Sequence, residues 1–231
     1  CPTTVTMPLN RRQKLLELAR KKDVVLLEDD HESELNFSVK PLPALKSLDT
    51  DGRVIYLGSL SKTLSHALRI GFIVAPAGLI RELRALRRMI MRHPPSNNAH
   101  VASLFIAQGH HDAFIRKLSL TYHERREALE SAFSEWLPHF EITPSLGGAS
   151  AWIKGPSGLN GQELARRCAD RGILIEPGDV VFDKPSPANQ CFVRMGYHAI
   201  ATHLPRPGMV GFVQVFPGLG LRSTRRAEAR A

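Results

Sequence analysis

The stretch Val54–Pro76, "VIYLGSLSKTLSHALRIGFIVAP", puts a lysine, Lys62, in a polar turn between two apolar runs. Ser59 and Ser61 precede it, and Arg69 follows seven residues on, just before the second run. An amine can condense with an aldehyde, and hydroxyls beside a guanidinium can take up a phosphate. Upstream, "LLEDDHESELNF" ends an apolar run in three carboxylates, Glu28, Asp29 and Asp30. Like charges crowded at a strand end are costly unless a cation lies opposite. The simpler reading of the aspartates is that they cap the next turn. "SLSK" also satisfies S-x-x-K, with Ser59 as nucleophile and Lys62 as base; that chemistry needs the motif at a helix start, with S-D-N and K-T-G elements that the sequence lacks.

These residues need elements to position them. The segment Leu9–Lys22 carries Leu15, Leu18 and Ala19 at helical spacing and ends in cations, as a helix C-terminus prefers. Buried strands are expected over Val24–Asp30, Arg53–Gly58 and Arg69–Pro76, in a mixed α/β sheet covered on both faces. Functional side chains should then cluster at strand ends. Helices are expected over Gly78–His93, Ala99–Gln108 and Asp112–Leu137, the last with Phe114, Leu118, Leu129 and Phe133 on its apolar side. The pattern then changes to short strands around one helix, Gly161–Gly172: "FEITPS", "GGASAWIKG", "ILIEPGDVVF" and "QCFVRMGY". We expect a large domain over residues 1–117, a small α+β domain over 118–216 and a disordered basic tail over 217–231.

The chain has 231 residues, of which 43% are hydrophobic, enough for a real core. Its net charge of +9 is compatible with nucleic acid, a membrane surface or anionic small molecules. Much of the excess lies in Ile80–His93 and Leu221–Ala231, as a solvated helix face and a loose terminus; no aromatic interleaving or helix-turn-helix pattern favours base reading. Cys1, Cys168 and Cys191 have neither disulfide-scaffold nor zinc-site spacing, which suits a reducing, cytoplasmic setting. No apolar run reaches membrane-spanning length. His110 and His111 follow a glycine at a helix junction and read as capping residues rather than metal ligands. Gly147 and Gly148 let a strand pass close to a neighbour, and Trp152 reads as core.

A lysine, a carboxylate, two hydroxyls and an arginine converging on one crevice match the needs of pyridoxal 5′-phosphate: an amine for the aldehyde, an acid for the pyridine nitrogen, donors for the phosphate. The runs "EDDHESELNF" and "PALKSLDTDGRVIYLGSLSKTLSHALRIGFIVAP", with "CFVRMGY" later, resemble the fold-type I pyridoxal-phosphate enzymes of the class I/II aminotransferase family. Within it they are most similar to the aminotransferase-like domain of MocR-type regulators of the GntR group. The resemblance runs from Cys1 to about Tyr197. It implies a partial large α/β domain followed by a small α+β domain, a Schiff base on Lys62, Asp29 opposite the pyridine nitrogen, and Ser59, Ser61 and Arg69 as phosphate ligands. Arg194 falls where the family's arginine takes a substrate α-carboxylate. Full transamination and mere exchange of aldimines with an amino acid or related amine, as a regulator requires, both remain open. A homodimer is also implied, with DNA contacted only through a separate N-terminal module.

The sequence departs from the family pattern in three places. His31 stands where a tyrosine usually hydrogen-bonds the cofactor's phenolic oxygen, and reads equally as that donor or as a turn residue. "CPTTVTM" replaces N-P-T-G, so Cys1 stands for the asparagine that touches the cofactor and Thr4 for the glycine. The resemblance also begins in the middle of the large domain, which suggests a piece of a longer protein or a truncated gene product. The readings are therefore the effector or catalytic domain of a MocR/GntR-type regulator, a free-standing aminotransferase, or a non-catalytic cofactor-binding fragment.

Overall fold

The computed structural model describes residues 2–30, 32, 34–37, 42–184, 186–198, 212 and 215. Cys1, His31 and the expected tail over 217–231 lie outside the described residues. The chain forms two compact units, Thr6–Ser119 and Cys1–Val5 with Leu120–Ala231.

The unit Thr6–Ser119 begins with helix α1 (Leu9–Lys22), closed by Asp23 in the left-handed region at φ 52°. The Val24 N–H then bonds back to the Ala19 carbonyl at 3.0 Å, so Val24 belongs to the helix cap and not to the expected strand. Strand β1 is Leu26–Asp30. A short helix α2 (Leu45–Leu48) precedes β2 (Val54–Ser59), and β3 is Gly71–Val74. The strand order is β1-β2-β3, with β1 parallel and β3 antiparallel to β2. Helices α3 (Ala77–Met91) and α4 (Ser96–Ala107) follow, then α5 (His110–Trp136), which runs on into the second unit. Helix α4 starts three residues ahead of expectation because Pro95 serves as its N-cap and its carbonyl accepts the Ala99 N–H.

The sheet is mixed, as the sequence implies, but the described residues do not cover both of its faces. Of its strand residues only Val54 is buried, while Leu27 is 69% exposed and every residue of β3 is exposed. Helix α3 likewise buries none of its residues, and its apolar stripe of Leu86, Met89, Ile90 and Met91 stays open beside its arginines. In α1 only Ala19 of the expected apolar face is buried. Apolar patterning announces a face that wants cover; it does not say that the cover lies among the described residues.

The second unit is the better packed. Its antiparallel sheet has the order β4-β5-β7-β6, from β4 (Glu141–Ile142), β5 (Ser150–Lys154), β6 (Glu176–Pro177) and β7 (Phe192–Gly196). Ala151, Ile153 and Val193 are fully buried, as are Leu164 and Cys168 on helix α6 (Gly161–Ala169). Asn160 caps α6 by accepting the Glu163 N–H at 3.0 Å. Trp152 is 4% exposed and stacks on Phe192 at 5.3 Å, so it is core. Burial pushes the Cys168 thiol up to about 11, which makes it inert at neutral pH. Within "ILIEPGDVVF" only Glu176–Pro177 is strand; Asp179–Val181 is a 3₁₀ turn.

Thr4 sits at φ 59°, in a region that a β-branched residue enters at a cost of about 1–2 kcal/mol. This is the position where the family pattern has glycine. Thr4→Gly is expected to raise stability by about 1 kcal/mol, strain relief outweighing the added freedom of the unfolded chain. Urea denaturation would read this as a higher midpoint at unchanged slope.

Candidate functional site

The three carboxylates at the end of β1 are separated by the two-residue period of a strand. Glu28 accepts the Leu45 and Lys46 N–H groups at 2.6 and 2.8 Å, which ties down the start of α2. Asp30 accepts a hydrogen bond from the Tyr56 hydroxyl at 3.1 Å. Asp29 points to the opposite side of the strand and lines a cleft. The crowding read in the sequence is thus resolved mainly by sending neighbours to opposite faces, and only one of the three reaches the cleft.

The register pairs Asp29 with Leu57 and Asp30 with Gly58, so β1 and β2 end side by side. Strand β3 returns from the same end, with Ser59 opposite Gly71 and Gly58 opposite Phe72. A Cβ on Gly58 would lie 2.3 Å from the Phe72 ring, and one on Gly71 would lie 2.9 Å from the Gly58 carbonyl oxygen. Two glycines therefore permit the close strand pairing beneath the loop. Residues 60–70 form that loop, closed by the Leu60 N–H to Ile70 carbonyl bond at 3.0 Å. Asn98 on α4 donates to the Leu68 carbonyl at 3.1 Å and secures its far side. Arg69 leaves the loop at φ 52°, a left-handed turn that shortens the expected third strand.

Asp29, Ser59, Ser61, Lys62, His66, Arg69, Ile70 and Gly71 line one open cleft of about 400 Å³. Five of these are residues singled out by type and spacing. His66 was not, and its position four residues after Lys62 on a turn carries no sequence signal that separates it from a surface histidine. The Lys62 ammonium donates to Glu32 Oε1 at 2.7 Å. The Ser61 N–H donates to Ser59 Oγ at 3.2 Å. That bond occupies a lone pair of Ser59 and leaves its O–H to donate elsewhere. Ser61 and Thr63 are buried, and Thr63 Oγ1 has no hydrogen-bond partner among the described residues. Ser59 ends a strand and is followed by turns rather than a helix, which removes the S-x-x-K nucleophile reading.

Arg194 stands on β7, in the other unit, and is described there by itself. Its register partner on the edge strand is Glu176, and Nη1 donates to Glu176 Oε2 at 2.7 Å. Nε is buried with no partner among the described residues. Gly148 has φ 94°, and the Tyr197 hydroxyl donates to its carbonyl at 2.9 Å.

His111 lies 3.6 Å from Glu34 and 3.5 Å from Asp112. Among the described residues no cluster of three or more His, Cys, Asp or Glu could hold a metal. Nor is any helix there long and apolar enough to cross a membrane.

Residues 1–194 match the family model described as "Aminotransferase class I and II". Among curated proteins, the HTH-type transcriptional regulator TauR of Rhodobacter capsulatus is 40% identical over 200 residues, covering 87% of this chain and 41% of that protein. Aromatic-amino-acid aminotransferase 1 of Thermococcus litoralis is 33% identical over 182 residues, covering 78% of this chain and 44% of the enzyme. This chain spans less than half the length of either. Among solved structures, the kynurenine aminotransferase of Pyrococcus horikoshii superposes with a TM-score of 0.86 at 28% identity, covering 96% of this chain and 55% of that one. The α-aminoadipate aminotransferase LysN of Thermus thermophilus, complexed with N-(5′-phosphopyridoxyl)-L-leucine, gives 0.86 at 27%, covering 94% and 56%.

Proposed function

The chain belongs to the class I and II aminotransferase family, whose cofactor is pyridoxal 5′-phosphate, and from that premise we propose that the cleft at the ends of β1 and β2 is its cofactor site. The fold is the fold-type I α/β architecture of those enzymes. What supports the site assignment is one observation: an amine, a carboxylate, two hydroxyls and a guanidinium line a single cleft of about 400 Å³. That donor set fits the group in charge and in kind.

When bound, the cofactor supplies an aldehyde for amines and a ring that accepts electrons from the carbon beside the bound nitrogen. Lys62 would be the residue of attachment, and its Nζ would be the group that moves a proton at that carbon. The Asp29 carboxylate holds a proton on the pyridine nitrogen. Ser59 and Ser61 donate to the phosphate, and the Arg69 guanidinium neutralises it. We assign His31 to the phenolic oxygen and Arg194 to a ligand carboxylate; Glu176 now holds that guanidinium and must yield it to such a ligand.

We further propose that this is the effector domain of a MocR/GntR-type regulator, which binds an amino acid or related amine, assembles as a homodimer, and leaves DNA contact to a separate module. TauR's 40% identity supports that parentage. The aromatic-amino-acid aminotransferase, at 33%, supports a second reading, a catalytic domain with full turnover. Incubation with pyridoxal phosphate, borohydride reduction and peptide mass spectrometry should place the added mass on Lys62. A folded chain labelled elsewhere or nowhere sinks the assignment. Amino acids added before reduction, together with a 2-keto acid as amino acceptor, then separate the two readings: turnover consumes the acceptor and releases the keto acid of the donor, and only the label is lost with exchange.

A further inference from the structure

The contact between Lys62 and Glu32 is not needed by any step assigned to the cleft. We propose that Glu32 is a positioning residue: in the cofactor-free chain it parks the Lys62 amine and delays its reaction with aldehydes. This rests on Lys62 being the residue of attachment.

Nζ and Oε1 are 2.7 Å apart, a charge-assisted hydrogen bond. Lys62 lines the cleft and Glu32 is not among its lining residues, so the amine is tethered to a carboxylate outside the set assigned to the cofactor. Glu32 lies three residues after Asp29 and two past the end of β1, so the strand end and the bend beyond it supply two carboxylates in different roles. Both side chains keep partial exposure, 34% for Lys62 and 26% for Glu32, so the pair can open without stranding a buried charge. Reaction requires that opening. The ammonium leaves Glu32 and gives one proton to solvent; its nitrogen then bonds to the aldehyde carbon, and the aldehyde oxygen departs as water with the two remaining amine hydrogens. Pairing strength thereby sets how readily Lys62 is charged with cofactor.

The test uses the cofactor-free full chain and a small aldehyde with neither ring nor phosphate. Reductive methylation with formaldehyde and cyanoborohydride at fixed pH is followed at Lys62 by peptide mass spectrometry, with Lys154 as internal control. Glu32→Gln is expected to speed Lys62 methylation about three- to tenfold, the span appropriate to exchanging a charged for a neutral partner on a partly exposed pair. Lys154 should not change, and Glu32→Asp, which keeps the charge, should remain slow. An unchanged or slower rate in Glu32→Gln overturns the proposal. If pyridoxal phosphate never attaches to Lys62 while Glu32→Gln still accelerates methylation, the pairing stands and the cofactor assignment falls. Normal attachment with no acceleration means the reverse: the cofactor assignment stands and the parking role of Glu32 falls.

Discussion

Lys62→Ala is expected to remove the borohydride-fixed label completely and to weaken retention of pyridoxal phosphate by roughly 100-fold or more, a loss of about 3 kcal/mol or above. Residual binding should persist, because Ser59, Ser61 and Arg69 still line the cleft. It should also become phosphate-dependent: inorganic phosphate should compete with the cofactor in the variant far better than in the parent. Equilibrium dialysis with and without phosphate measures both effects. A label that survives the substitution would show attachment to another lysine. A chain that retains its cofactor as tightly as before would show that no covalent bond contributes.

Asp49→Ala is expected to destabilise the chain by about 3 kcal/mol, the largest stability effect we foresee from one loop residue. Its carboxylate, 2% exposed, accepts the N–H groups of Asp51, Arg53 and Val54 at 3.2, 3.1 and 2.9 Å and pairs with Lys46 at 3.1 Å. These bonds fix the start of β2, the strand whose other end carries Ser59. Burial works against the charge, but the Val54 and Arg53 N–H groups, Lys46 and Asp51 outweigh it and hold the carboxyl below its ordinary 3.8. The unfolded chain therefore binds this proton at a higher pH than the folded chain. The contribution is fully present above the ordinary value and is lost as pH falls through the lowered one. Urea melts at neutral pH and near pH 3 should show a flatter acid limb for Asp49→Asn than for the parent. Equal limbs would mean that another carboxylate governs acid stability.

Where the sequence was legible, a local rule governed. Helix α1 runs from Leu9 to Lys22 as its periodicity and terminal cations indicate. Ser59, Ser61, Lys62 and Arg69 reach one cleft because a single strand end and its loop carry them, so spacing along the chain is nearly spacing in the fold. Illegible features depended on partners distant in sequence or on backbone geometry. Val24 looks like strand and serves as a helix cap. Arg69 begins an apolar run and yet turns left-handed. Glu176 lies 18 residues from Arg194, and only the edge pairing of β6 with β7 brings them opposite each other. The uncovered faces of β1, β3 and α3 were hidden for a different reason: hydrophobic pattern reports a demand for burial, and the described residues do not meet it.

The antiparallel return of β3 beside β2 also bears on the order of assembly. Ser59 pairs with Gly71, so the loop holding Lys62 and Arg69 is closed by a hairpin whose ends are near neighbours along the chain. Closing so short a span forfeits little chain entropy and takes microseconds. Docking β1 against β2 must wait for a longer crossover, from Asp30 to Val54. The loop that brings Lys62 and Arg69 to the cleft can therefore take shape early on the way to the native state, while Asp29 arrives later with the parallel strand.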